Sequence, residues 1–248
     1  MTDTQSSIQV LDRAVSLLQA MGQADEPLSL KVLAAETQLH TSTAHRILAA
    51  LQVHDFVERN ERGNYQIGSA LTRLSSKRRG QRELSREARP IMEWLRDQVN
   101  ETVNLTVREG DEMVYVERAV PTRMMRIEQV IGSRAPLHVT AVGKLMLGEQ
   151  EPDQWQRYAK RTKLPAYTKN TLASTDQLQQ AVLQCQACGY AYDNEEAELG
   201  VGCIGVLIRD SAGIAMAGLS ISAPIERRQD AWIPLLQDAA KRIAQKMA

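Results

Sequence analysis

Asp193, Cys203, Ser220 and Ser222 are the residues of this chain best suited by type and spacing to hold a small ligand. Ser220 and Ser222 lie two apart in a β-prone run, so their side chains share one face of a strand. Cys203 follows Gly202 in the run before it. Two hydroxyls and a thiol converging from paired strands could donate hydrogen bonds to a small carboxylate. The residues alone favour a plainer arrangement, in which both serines face solvent and Cys203 packs in the core. His138 with Cys203 and Asp193 would instead make a thiol nucleophile with its base, although nothing in their spacing supports it.

Two other groups invite metal or redox chemistry. Cys185-Gln-Ala-Cys188 is a C-x-x-C, but zinc would need two more ligands at similar spacing, and Cys203 is the one remaining thiol. Cys185 also falls on the apolar face of a helix, where a free cysteine packs as a small hydrophobe. His40, His45 and His54 do not share one helical face, so surface or phosphate-facing histidines are the better reading. No cofactor and no metal is expected.

The last group is Ser42, Thr43, His45 and Arg46. Ala44, Ile47, Leu48 and Leu51 repeat at the spacing of one helical face, leaving Ser42, His45, Arg46 and Ala49 on the other. A helix whose outer face carries short polar groups around one arginine can lie in a DNA major groove. Arg46 is the side chain that would reach a guanine edge; Ser42, Thr43 and His45 suit phosphates equally well. A plain three-helix packing unit explains the same pattern.

The elements that must position these groups follow from periodicity. Ser7 to Ala20 places Ile8, Leu11, Val15 and Leu18 on one face of a first helix. Ser29 offers an N-cap to a second, with Leu28 and Leu33 spaced as a hydrophobic staple, and Thr41 can cap a third. The polar turn Asn60-Glu61-Arg62-Gly63 then separates two short β-prone runs, a hairpin signal. Three helices and a hairpin make a winged helix-turn-helix, with Arg59, Arg62 and Asn64 on the wing. Ser69 to Arg82 reads as a basic linker helix interrupted at Gly80. A separate helix follows over Leu84 to Asn100, with Ala88, Ile91, Leu95 and Val99 on one face and Pro90 starting or kinking it.

Strands begin after that point. Thr102–Arg108 and Met113–Ala119 alternate around Gly110-Asp111, and 124–130 reads as a third strand or an irregular apolar edge. Helices are expected over Val142–Leu147, over Pro152–Lys160, and from a Ser174/Gln177 capping box to Gly189. A hairpin turns at Asp210-Ser211-Ala212-Gly213, and a last helix runs from about Arg227 to Met247. The second domain is therefore expected to be a mixed sheet with helices on it, and the chain α+β.

Composition bounds the function. Apolar residues make up 43% of the chain, enough for a real core, and no apolar run is long enough to span a bilayer. The start, MTDTQSSIQV, has neither a basic nor an apolar signal stretch, so a cytoplasmic protein without a membrane role is expected. Thirty basic residues balance thirty acidic ones, which argues weakly against nucleic acid. Residues 1–82 hold ten Lys/Arg against eight Asp/Glu, and the excess concentrates in Arg73, Lys77, Arg78, Arg79 and Arg82.

The segments SIQVLDRAVSLL, LHTSTAHRILAAL, GNYQIGSAL, ETVNLTVREG, IGSRAPLHVTAVGKLML, GYAYDNEEAELGVGCIGVLIRD and AGLSIS occur in that order. Through them the chain resembles, over nearly its whole length, the isocitrate lyase regulator (IclR) family of bacterial transcriptional regulators. The resemblance implies a winged helix-turn-helix over 1–68, a linker helix over 69–84 and a GAF-like mixed α/β effector-binding domain over 85–248. It implies a double-stranded DNA operator, a small carboxylate or aromatic-acid effector, and a homodimer or homotetramer that more often represses than activates. In members that bind small oxo acids the ligand meets the positions of Asp193, Cys203, Ser220 and Ser222. Apolar walls come from Met124, Ile127 and the residues before Gly143. Here the sequence departs, with Ala141-Val142 where oxo-acid binders tend to have Gly-Ala. The rival reading from another class is a GAF-like thiol enzyme using Cys203, which requires a depressed thiol pKa. A third is a helix-turn-helix used for protein contacts.

Overall fold

The structure, a computed structural model, describes residues 8–247, apart from the side chains of residues 73 and 75–79. The expected helix start at Ser7 and the side chains of Arg73, Lys77, Arg78 and Arg79 therefore lie outside the described residues. Contacts divide the chain into two compact units, one up to Gly80 and one from Gln81 on.

The first unit holds α1 (Gln9–Gln23), α2 (Leu30–Glu36), α3 (Thr41–Val53) and a hairpin of β1 (Val57–Arg59) and β2 (Tyr65–Ile67). Ser29 caps α2 by accepting from the Val32 amide, and Leu28 and Leu33 both pack into the core. The cap of α3 is His40, whose side chain makes no cap bond, so Thr41 is its first helical residue instead of its cap. Leu17, Leu33, Ala44, Leu48, Val57 and Tyr65 make a dry centre. The helix α1 meets that centre on a different face from the one its periodicity suggests. Leu17 and Met21 are buried, while Ile8, Leu11 and Val15 are 52%, 56% and 50% exposed. Ala14 and Leu18 line the edge between the two faces, so the apolar stripe is wider than the core it covers.

A single helix, α4 (Ser69–Val99), replaces the two expected. Gly80 lies in open space, and a helical glycine costs only about 1 kcal/mol. Pro90 removes one helical donor, but Leu84, Ala88, Ile91, Met92, Leu95 and Val99 are all buried around it. Six buried apolar side chains on one face outweigh one missing backbone bond.

The second unit is a six-stranded sheet in the order β5-β4-β3-β8-β7-β6. Its strands are β3 (Thr102–Glu109), β4 (Glu112–Ala119), β5 (Arg134–Pro136), β6 (Ala191–Asn194), β7 (Val201–Arg209) and β8 (Ala215–Pro224). Every pairing is antiparallel, so the sheet is not mixed in strand direction. Residues 124–130 form no strand; β5 begins further on, at Arg134. One face, through Val103, Leu105, Leu219 and Ile221, packs on α4 and on α8 (Ile233–Met247). The helix α8 starts later than expected because 225–232 hold two 3-10 turns, and Pro234 suits a first helical turn. Over the other face lie α5 (Ala141–Gly148), α6 (Pro152–Thr162) and α7 (Thr175–Cys188). The helix α7 opens on the Ser174/Gln177 capping box and closes at Gly189 with φ of 72°. Among the described residues no helix is long and apolar enough to cross a membrane.

Candidate functional site

In the first unit α3 buries Ala44, Ile47 and Leu48, which turns Ser42, His45 and Arg46 outward, with Thr43 half-buried beside them. The wing is tied by its own side chains. Asn60 Oδ1 accepts from the amides of Arg62 and Asn64, both at 3.0 Å. Gly63 supplies the positive φ of 80° that the turn needs. Arg59 folds back on the hairpin, donating to the Gly63 carbonyl at 3.0 Å and lying over the Tyr65 ring. Arg62 is exposed at the tip and Asn64 is half-buried. Arg46 and Arg62 are therefore exposed cations, whereas Arg59 also braces the wing.

In the second unit the antiparallel register writes the ligand face row by row. Asp193, Cys203, Ser222 and Thr102 are successive cross-strand partners. Gly205, Ser220 and Asn104 form the next row, and Gly218, Thr106 and Tyr115 the one after. Polar residues thus alternate with the apolar ones that face α4 and α8. The helix α5 lies over these rows, its N-terminus capped by Thr140 through the Gly143 amide. Its first amides, at Ala141 and Val142, have no partner within the helix.

Between helix and sheet is a cavity of about 70 Å³ lined by Thr106, Met113, Tyr115, Gln129, Ala135, Thr140, Ala141, Val142, Asp193, Ala197, Glu198, Val201, Cys203 and Ser220. Of the expected residues Asp193, Cys203, Ser220, Ala141 and Val142 reach it. Ser222 stands behind the wall, 3.1 Å from the Cys203 thiol and accepting from Asn104 Nδ2 at 3.0 Å. Met124 is 99% exposed and lines no part of the cavity; Met113 is the methionine that does. Ile127 stays outside the lining too, its carbonyl held by the Thr102 hydroxyl. The alternation of β3 and β4 could have pointed to Thr106 and Tyr115. Gln129 comes from an irregular segment that carries no periodic signal.

Burial sets the electrostatics. It raises the Asp193 carboxyl to about 6, against the hydrogen bond from the Glu196 amide, which lowers it. It also pushes the Cys203 thiol well above its ordinary value, with the Asp193 charge adding to the effect. That direction is opposite to what a thiol nucleophile needs. His138 is not near that thiol as a base. Its Nδ1 pairs with the Tyr158 hydroxyl at 2.9 Å and its Nε2 with the Pro165 carbonyl at 3.1 Å. Cys185 is buried and pushed up to about 11, mainly by that burial, while Cys188 is exposed.

Beneath α5 lies a pair that no periodicity suggests. Lys144 and Glu196 are both buried, with Nζ 2.5 and 2.6 Å from the two carboxylate oxygens. Glu196 Oε1 also accepts from the Asn194 amide. The pair holds the turn that carries Asp193 against the helix that carries Ala141.

Asn104 is fully buried and spends its amide hydrogens on Ser222 Oγ and on Gln129 Oε1 at 3.3 Å. Its own Oδ1 has no partner among the described residues, an omission worth about 1–3 kcal/mol. The site can thus receive an anion at a helix N-terminus and surround it with hydroxyl, thiol and carboxyl groups.

Residues 79–248 match the family model of the bacterial transcriptional regulator IclR C-terminal domain, and residues 10–61 that of the IclR helix-turn-helix domain. The chain is 32% identical over 226 residues to the transcriptional repressor IclR of Escherichia coli (strain K12), covering 90% of this chain and 82% of that protein. It is 31% identical over 242 residues to the HTH-type transcriptional regulator BhcR of Paracoccus denitrificans (strain Pd 1222), covering 97% and 86%. Among solved structures, Thermotoga maritima IclR matches with a TM-score of 0.62 at 27% identity, covering 96% of this chain and 98% of that one. An IclR homolog from Microbacterium hydrocarbonoxydans complexed with 4-hydroxybenzoate matches with a TM-score of 0.65 at 23% identity, over 96% and 98%. That last likeness is one of fold.

Proposed function

The chain belongs to the IclR family of bacterial DNA-binding transcriptional regulators, and from that premise we propose that it is a repressor released or tightened by a small organic acid. The winged unit, residues 1–68, reads a double-stranded operator with Arg46, supported by Ser42, Thr43 and His45 and by Arg62 and Asn64 of the wing. Residues 85–248 hold the acid between the α5 amides and Asp193, Cys203 and Ser220. The observation that carries this reading is the cavity itself, where a helix N-terminus, a carboxyl raised by burial and a serine hydroxyl converge.

Control is linkage: an acid that binds two arrangements of the protein unequally shifts operator affinity by the same free energy. The helix α4 belongs to both units through residues 69–84 and is the direct covalent route between them. The protein works as a homo-oligomer. The uncovered apolar stripe Ile8, Leu11 and Val15 on α1 supports self-association through the winged unit. The experiment is a thermal-shift screen of small carboxylates and aromatic acids, since a ligand of the folded state raises its melting temperature by mass action. A positive acid should also change operator affinity; an acid that does neither at millimolar concentration speaks against the reading.

A further inference from the structure

A second and larger opening, of about 280 Å³, lies between α7 and β6, with the Lys144–Glu196 pair in its wall. It shares no lining residue with the acid cavity. Gln177, Gln180, Gln184 and Cys188 line it from α7 at the spacing of one helical face. Its polar groups are mostly neutral amides. Gln177 Oε1 accepts from the Ser174 amide and hydroxyl, both at 3.2 Å, which leaves its Nε2 hydrogens. Asn194 Oδ1 accepts from Arg228 at 2.5 Å, which leaves its Nδ2 hydrogens. The side chains of Gln180 and Gln184 are bonded at neither end among the described residues.

The charged side chains in this wall are Lys144 and Glu196, and they neutralise each other. Glu196 accepts from the Asn194 amide as well as from the lysine. The Lys144 ammonium is buried and carries three hydrogens. Glu196 takes two of them, and no other acceptor meets Nζ among the described residues. One buried ammonium hydrogen is therefore left for an oxygen arriving from the cleft. A carboxylate or an ammonium entering there would lose its water without gaining a free counter-charge. A hydroxyl is donor and acceptor at once. It can take hydrogens from Gln177, Asn194 and Lys144 and give its own to Oε1 of Gln180 or Gln184. The volume falls just below the roughly 300 Å³ at which pockets for drug-sized ligands begin, which suits a molecule of monosaccharide size.

We propose that the cleft between α7 and β6 is a second binding site, for a neutral polyhydroxylated molecule such as a monosaccharide or a sugar alcohol. The site does not rest on the acid effector. It is nevertheless built on the same parts, since the Glu196 amide holds Asp193 Oδ1 at 2.8 Å and Lys144 belongs to α5.

Cys188 supplies the test. It is exposed and lines the cleft, whereas Cys185 and Cys203 are buried, with thiols raised by that burial. Alkylation of the full chain by iodoacetamide at neutral pH, followed by mass spectrometry, therefore reports on the cleft. Glucose and ribitol should each slow Cys188 alkylation in a saturable way. Gluconate and glucosamine, each bringing a charge that no free group balances, should need at least tenfold higher concentration. Gln180→Leu combined with Gln184→Leu replaces two exposed amides and should abolish the protection without lowering the melting temperature. Gln184→Glu, which adds a free carboxylate, should weaken protection by glucose and strengthen that by glucosamine. Protection by gluconate or glucosamine equal to that by glucose would overturn the proposal. So would protection that survives both sets of variants, or none from glucose and ribitol at tens of millimolar. Each of these results leaves the acid effector reading standing.

Discussion

Val142 is seated on Gly218: a Cβ added at that glycine would fall 1.9 Å from Val142 Cγ1, and one at Gly205 would fall 2.9 Å from Cγ2. The bulk of Val142 is thus taken up by two missing strand side chains, and the cavity keeps its opening beside Ala141. Gly218→Ala should destabilise the fold by about 3 kcal/mol, at the upper end of overpacking costs. Val142→Ala in the same chain should recover most of that loss. Urea unfolding of the two variants and the double variant measures the coupling directly.

The buried Lys144–Glu196 pair gives a second expectation. Removing one partner, as in Lys144→Met, leaves an unmatched buried charge and should cost roughly 3–5 kcal/mol. The double change Lys144→Met with Glu196→Leu should be much closer to the parent. Chemical melts of all three proteins check this. Equal losses in the single and double variants would show that packing, not charge, holds the turn before β7.

Asp193 sets the pH dependence. Its folded carboxyl titrates at about 6 against an ordinary value of 3.8, so the folded state holds the proton more tightly than the unfolded one. The stability this contributes is fully present below about pH 4 and is lost as pH rises through 6. Asp193→Asn has no such loss. Its stability relative to the parent should therefore grow by on the order of 2–3 kcal/mol between pH 4 and pH 7. Melts at half-unit pH intervals read this, and a pH-independent difference would move the titrating group elsewhere.

Arg46 is exposed on α3, on the side away from the buried Ala44, Ile47 and Leu48. Arg46→Ala should weaken operator binding by about 1–3 kcal/mol, with acid affinity unchanged. Arg62→Ala at the wing tip should weaken binding to all sequences alike and flatten its salt dependence. Gel-shift titrations at several salt concentrations separate the two effects.

Legibility in the sequence followed periodicity. The α3 face, the Ser174 capping box, and the alternation that puts Ser220 beside Cys203's strand were all readable, because each repeats at a helical or strand period. The buried face of α1 was not, since its apolar stripe is broader than the core and periodicity cannot say which edge is covered. Continuity of α4 was hidden by Gly80 and Pro90, local breakers overridden by six buried contacts. Lys144 carries no periodic signal within AVGKLML, although an isolated lysine in so apolar a run is itself a sign of a buried partner. Gln129 was invisible because its position depends on Asn104, some 25 residues away in sequence.

The most direct measurement is operator affinity of the full chain by fluorescence anisotropy, on DNA selected by the protein itself, with and without an acid that raises its melting temperature. Saturating acid should change that affinity at least fivefold, about 1 kcal/mol of coupling, and Ser220→Ala should abolish the change while leaving the acid-free affinity as it was. An acid that stabilises the protein yet leaves operator affinity unmoved would contradict the account.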